Sequence, residues 1–192
     1  MAKNKYELTQ VRTPEFRAAF AYVFKPRAAM DPTQPAKYSI VMLFPKSADL
    51  TALKKAAEAA VFAKWGDKIP KNLKNPFRDG AEKEDLDGYA GHIFITASSK
   101  MRPGLVDGQL NPITEESGAF YSGCYCKATI NAFAYDVNGN RGVSFGLNNI
   151  QKTRDGEPFS GRRKAEDEFE SIESDSQAED AGNTPAAAKG LF

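Results

Sequence analysis

Apolar and polar positions alternate most regularly between Tyr121 and Tyr135. Cys124, Cys126, Ala128, Ile130, Ala132 and Ala134 fall on one side of that segment, and Tyr125, Lys127, Thr129, Asn131, Phe133 and Tyr135 on the other. Period two puts successive side chains on opposite faces of a strand, so the segment reads as a long strand with a small apolar face. Asn138-Gly139 follows as a hairpin turn, and residues 142–150 return as its partner. Three earlier segments, 16–25, 37–44 and 92–98, also read as strands. In the last, Ile93, Ile95 and Ala97 face one way and His92, Phe94, Thr96 and Ser98 the other. Between Asp49 and Trp65 the period changes. Leu50, Leu53, Ala57, Ala60 and Val61 recur at helical spacing, and Gly66 can end the helix with positive φ.

The Pro-rich stretch 26–35 and residues 67–90 and 101–119 read as loops. From Ala165 onward large apolar residues almost vanish, which predicts disorder. Five strands, one good helix and long loops predict a mainly β fold: a five-stranded barrel of the oligonucleotide-binding (OB) type over residues 1–164, followed by a disordered acidic tail over 165–192.

Charge sharpens this division. The chain of 192 residues has a net charge of only +1. Residues 1–164 nevertheless carry 25 basic and 17 acidic side chains, while residues 165–192 carry one basic and eight acidic ones. A cationic body beside a polyanionic segment suggests that the body binds a polyanion. No apolar run is long enough to span a membrane, and Met1 to Gln10 lacks the apolar core of a signal peptide. Cys124 and Cys126 read as small buried thiols. One histidine, His92, and no second cysteine pair leave zinc without ligands, so no metal or other cofactor is expected.

The polar side of the long strand carries the candidate chemistry. Single-stranded nucleic acid offers ring faces that stack on aromatics and phosphates that pair with cations. Tyr125, Lys127, Phe133 and Tyr135 supply both on one face, and Phe94 on the 92–98 strand adds an aromatic. The alternative is that Phe133 and Tyr135 pack under a loop or the helix. Cations at strand ends and in loops would complete a phosphate groove: Lys25, Arg27, Arg78, Lys100, Arg102, Arg141, Lys152 and Arg154. Asp79, Glu82, Glu84, Asp85 and Asp87 crowd one loop, with Asp107 downstream, and such carboxylates can hold Mg²⁺ in a nuclease. They sit in a loop beside Lys83, however, and lack a partner base. No Walker loop, nucleophile elbow, dinucleotide fingerprint or His-based triad is present, so no catalytic residue is assigned. The acidic segment runs on to Leu191 and Phe192, an apolar pair that could dock on a partner protein.

These residues also resemble a known family. Tyr121-Ser-Gly-Cys-Tyr-Cys-Lys, Tyr135-Asp-Val-Asn-Gly-Asn-Arg-Gly and the run from Gly146 to Pro158 resemble phage single-stranded DNA-binding proteins with an OB fold. Pro76-Phe-Arg-Asp-Gly, Gly91 to Lys100 and Pro103-Gly-Leu-Val-Asp are similar to it as well. The segment 165–192 separately resembles the acidic, Phe-terminated tails of single-stranded DNA-binding proteins. The resemblance implies a non-enzymatic role in phage DNA replication or recombination, in the cytoplasm of an infected bacterium. Single-stranded DNA is then the expected partner. The tail would compete with DNA and recruit phage or host replication proteins. Duplex DNA as a second ligand, as in strand annealing, and a homodimer stay open.

Overall fold

The computed structural model describes residues 8–29 and 33–159. The chain divides after Gly161, and every described residue belongs to the first part. Among the described residues there are eight strands: β1 (Gln10–Arg12), β2 (Phe16–Arg27), β3 (Lys37–Pro45), β4 (Arg78–Asp79), β5 (His92–Ser99), β6 (Gly104–Val106), β7 (Tyr125–Val137) and β8 (Asn140–Arg154). A 15-residue helix, α1 (Thr51–Trp65), lies between β3 and β4.

Five of the strands close a ring. β2 pairs with β3, β3 with β5, β5 with β8, β8 with β7, and β7 returns to β2. Only the β5–β8 pairing in that ring is parallel. This is the five-stranded barrel expected of an OB fold. The three short strands add to it. β1 extends along β7 above β2, β6 runs parallel to β8, and β4 lies on β5. The sequence pattern did not reveal β1, β4 or β6, and it placed the start of β7 four residues early. Residues 121–124 form a turn before that strand.

The alternation in β7 holds. Cys126, Ala128, Ile130 and Ala132 point inward and are buried with Ile40, Met42, Phe44, Ile95, Ala97 and Phe145 in one core. The two thiols are free and fully buried, with Sγ atoms 3.7 Å apart. Helix α1 adds Leu53, Ala56, Ala57 and Ala60 to the same core. It begins two residues later than its periodicity suggests, because the Asp49 carboxylate accepts the Thr51 N–H at 2.9 Å. At its end Gly66 has φ 55° and donates its N–H to the Phe62 carbonyl. In the β7–β8 turn Asn138 and Gly139 have φ 50° and 78°, the left-handed pair that a tight two-residue hairpin requires.

A second apolar cluster lies outside the barrel. Ala19, Leu43, Tyr89 and Phe94 are buried there, with Val41, Leu86 and Phe159 against them. The segment after β4 therefore covers part of the outer face of β2, β3 and β5. It begins with a short 3-10 turn, Gly80–Lys83, capped by the Asp79 carboxylate, which accepts the Ala81 N–H.

Candidate nucleic-acid interface

Strand register sets which outer side chains are neighbours. One row crosses the barrel from Tyr22 on β2 through Ser39, Ser98 and Gly146 to Asn131 on β7 and Gln10 on β1. Apart from Tyr22 it is floored by small or hydrogen-bonding groups. A Cβ at Gly146 would lie 2.5 Å from the Asn131 Oδ1, so any larger residue there would push the Asn131 amide aside. Across five strand spacings the row measures about 24 Å along the surface. At its β2–β3 end Arg27, Lys37, Ser39 and Ser98 line an open pocket of about 280 Å³. The Arg27 guanidinium lies over the Tyr22 ring, 5.2 Å from its centre.

Further rows follow along β7. Arg12, Thr129 and Asn149 are adjacent on β1, β7 and β8, then Lys127 and Gln151, then Arg17, Tyr125 and Arg154. Tyr125 is half-buried on this face. The Arg154 guanidinium carbon stands 3.3 Å from the centre of its ring, and Arg17 lies 5.9 Å from it. Arg17 also stacks on Phe159 at 4.1 Å. Glu15 orients the platform. One carboxylate oxygen accepts both Arg154 Nε and Nη2, at 3.1 and 2.9 Å, and the other accepts the Thr153 hydroxyl at 2.7 Å. The hydrogen bonds from Arg154 hold the Glu15 carboxyl below its ordinary range.

The cations expected in the groove divide into two groups. Lys25, Arg78, Arg141, Lys152 and Arg154 are each in an ion pair, with Glu115, Glu82, Asp136, Asp155 and Glu15. Lys127 and Lys100 are exposed and make no ion pair among the described residues. Arg27 and Arg102 are also without one, and each lies over a ring, Tyr22 and Phe24. Exposed pairs are worth about 1 kcal/mol or less, so a phosphate can compete for them.

Two expected positions are corrected. Phe94 faces outward, as its alternation says, but it is 3% exposed. Tyr89 packs on its edge at 5.1 Å, and Arg78 and Lys83 lie over its ring. It has no open face for a base. Lys152, expected in the phosphate groove, points inward, its side chain only 13% exposed. An extra residue in β8 at Asn148 shifts the register against β7, so Leu147 and Ile150 face inward three positions apart, and Lys152 follows Ile150 opposite Cys126. Its ammonium donates to the Ala119 carbonyl and the Asp155 carboxylate, each at 2.6 Å. Phe133 is 43% exposed on the outer face. Tyr135 is half-buried beside Gly142. Leu191, Phe192 and the acidic segment 165–192 lie outside the described residues.

The acidic loop is tied into the fold. Asp79 caps the 3-10 turn and pairs with Lys46 at 2.9 Å, Glu82 pairs with Arg78, and Asp107 bonds within its own loop. Among the described residues no three His, Cys, Asp or Glu side chains are grouped to hold a metal ion. No helix there is long and apolar enough to cross a membrane.

Sequence reasoning missed several outer-face residues. Arg12 belongs to a strand too short to show a period. Arg17 takes its meaning from Tyr125 and Phe159, both far away in sequence. Phe20 has φ 44° at an irregularity in β2, is 44% exposed, and breaks the alternation that would have displayed it.

The fold and this surface together define an OB-barrel protein whose outer face combines hydrogen-bonding side chains, stacked aromatics and uncompensated cations. The family described as "Enterobacter phage Enc34, ssDNA-binding protein" matches residues 9–181, and the chain belongs to that family. A putative protein p50 of Acyrthosiphon pisum secondary endosymbiont phage 1 is 35% identical over 163 residues, covering 79% of this chain and 87% of that protein. The fold is similar to that of the single-stranded DNA-binding protein from bacteriophage Enc34 in complex with ssDNA. The TM-score is 0.68 at 22% identity, over 83% of this chain and 97% of that one. It is also similar to gp2.5, a single-stranded DNA-binding protein of bacteriophage T7. There the TM-score is 0.51 at 13% identity, over 81% and 97% of the two chains.

Proposed function

We propose that this protein binds single-stranded DNA with little regard to sequence, along the outer face of β7 and the row that leads from it to Arg27 and Lys37. The observation that carries the reading is the outward side of β7, where Tyr125, Lys127, Thr129, Asn131 and Phe133 stand in line. Bases stack on rings and on guanidinium planes, and cations follow the phosphates without reading sequence. The Tyr125–Arg154 pair is the stacking platform, and Lys127 with Arg12 is the cationic rail beside it. Membership of a family named for single-stranded DNA binding supports the reading. The protein acts as a binder and not an enzyme, in replication or recombination of a phage genome within the infected bacterium. The role of residues 165–192 as a competitor of DNA and a docking segment for replication proteins rests on their charge and on Leu191 and Phe192 alone.

Tyr125→Ala tests the platform. Oligo-dT binding is expected to weaken by about 1–3 kcal/mol in a fluorescence polarisation titration. The thermal unfolding midpoint is expected to stay close to wild type, since the ring lies outside the core. Unchanged affinity would remove Tyr125 from the interface.

A further inference from the structure

Beside the cationic rail lies a hollow of about 320 Å³, bordered by Arg12, Lys127, Thr129, Gln151, Val106 and Leu110. Three observations distinguish it from ordinary surface. Its apolar wall is an exposed leucine in a strained conformation. Leu110 is 69% exposed and has φ 69°, a region that glycine or asparagine takes freely and leucine does not. The loop is built to hold it there. One Asp107 carboxylate oxygen accepts the N–H groups of Gln109 and Asn111, both at 2.8 Å, and the other accepts the Asn111 side-chain amide at 3.0 Å. Strain of this kind, held in place by its surroundings, clusters at ligand-binding sites.

The floor is polar, with bonding capacity left over. The Thr129 hydroxyl oxygen already accepts from the Asn149 backbone and side chain, so its own proton is free to donate outward. Gln151 donates its amide to the Asp107 carbonyl at 3.3 Å, which leaves its carbonyl oxygen as an acceptor. One donor and one acceptor thus stand side by side under an apolar wall. Finally, Arg12 and Lys127 border the hollow, and neither makes an ion pair among the described residues.

An apolar wall, a mixed donor–acceptor floor and two flanking cations fit one unstacked nucleobase with a phosphate on either side. We infer that this hollow is a base-binding subsite. A single nucleobase of the bound strand lies against Leu110 and Val106, with its polar edge on Thr129 and Gln151 and its phosphates on Arg12 and Lys127. The inference rests on the single-strand reading above and adds a defined pocket that the stacking platform does not need. Because the floor offers both a donor and an acceptor, each of the four bases can satisfy it, in keeping with binding that tolerates sequence.

Leu110→Ala tests the subsite, measured with two probes: oligo-dT, and an oligonucleotide of the same length made of abasic nucleotides. The variant is expected to bind oligo-dT about fivefold or more weakly than wild type, and the abasic probe equally well. Its fold is not at risk, since the side chain is exposed and alanine keeps the same Cβ and backbone conformation. Equal oligo-dT affinity of the two proteins would overturn the subsite while leaving the single-strand reading intact. Equal weakening on both probes would also overturn it, because Leu110 would then be acting on the backbone and not on a base. Wild type that binds neither probe would overturn the single-strand reading itself.

Discussion

Phe145→Ala is expected to cost about 3–5 kcal/mol of folding stability, the range for deleting a fully buried ring that neighbours cannot collapse to replace. Phe145 is 0% exposed and packs edge-on against Phe77 at 5.9 Å. It sits opposite Ala132 on β7 and Ala97 on β5, so it is the large side chain among small ones across the barrel. Alanine there would leave a void lined by residues too short to fill it. The matched control is Phe133→Ala, one residue along the same hairpin. Phe133 pairs with Ser144 on the outer face and is 43% exposed, so its loss is expected to change stability by about 0.5 kcal/mol or less. Urea unfolding followed by Trp65 fluorescence separates the two. Similar costs for both would mean that the inward and outward faces of the hairpin are misassigned.

The affinity for oligo-dT is expected to fall about 100-fold between 50 and 200 mM salt. Arg12, Arg27, Lys37, Lys100 and Lys127 lie on or beside the outer face and form no ion pair among the described residues. Each phosphate neutralised on a single strand contributes about 0.7 to the slope of log affinity against log salt, so five contacts give a slope near −3.5. The already paired cations, such as Arg154 on Glu15, add less, because taking up a phosphate means releasing a carboxylate. A slope near zero in a polarisation titration would remove the electrostatic part of the interface.

What the sequence made legible was the local pattern. Strict alternation gave the two faces of β7, the helical repeat from Leu50 to Val61 gave α1, and Asn138-Gly139 gave the hairpin. What it could not give depended on partners distant in the chain. Strands as short as β1 and β6 carry no period and exist because β7 and β8 offer them an edge. Phe94 obeyed its alternation, yet its exposure was decided by Tyr89 and the loop folded over it. A single extra residue at Asn148 reversed the direction of Lys152. The charge excess of the body was visible by counting, but which cations remain unpaired was settled by carboxylates such as Glu115 and Glu15, which lie 90 and 139 residues from their partners Lys25 and Arg154.

The central claim is that the outward side of β7 holds the strand, and one matched pair of charge reversals tests it most directly. Lys127→Glu places an acid in the middle of that face. Lys55→Glu makes the same change in net charge on the exposed side of α1. With both variants titrated against oligo-dT at the same low salt, Lys127→Glu is expected to bind at least about tenfold more weakly than wild type. Lys55→Glu is expected to stay within about twofold of wild type. Equal losses would mean that only total charge matters, and unchanged binding by Lys127→Glu would place the DNA on another face of the barrel.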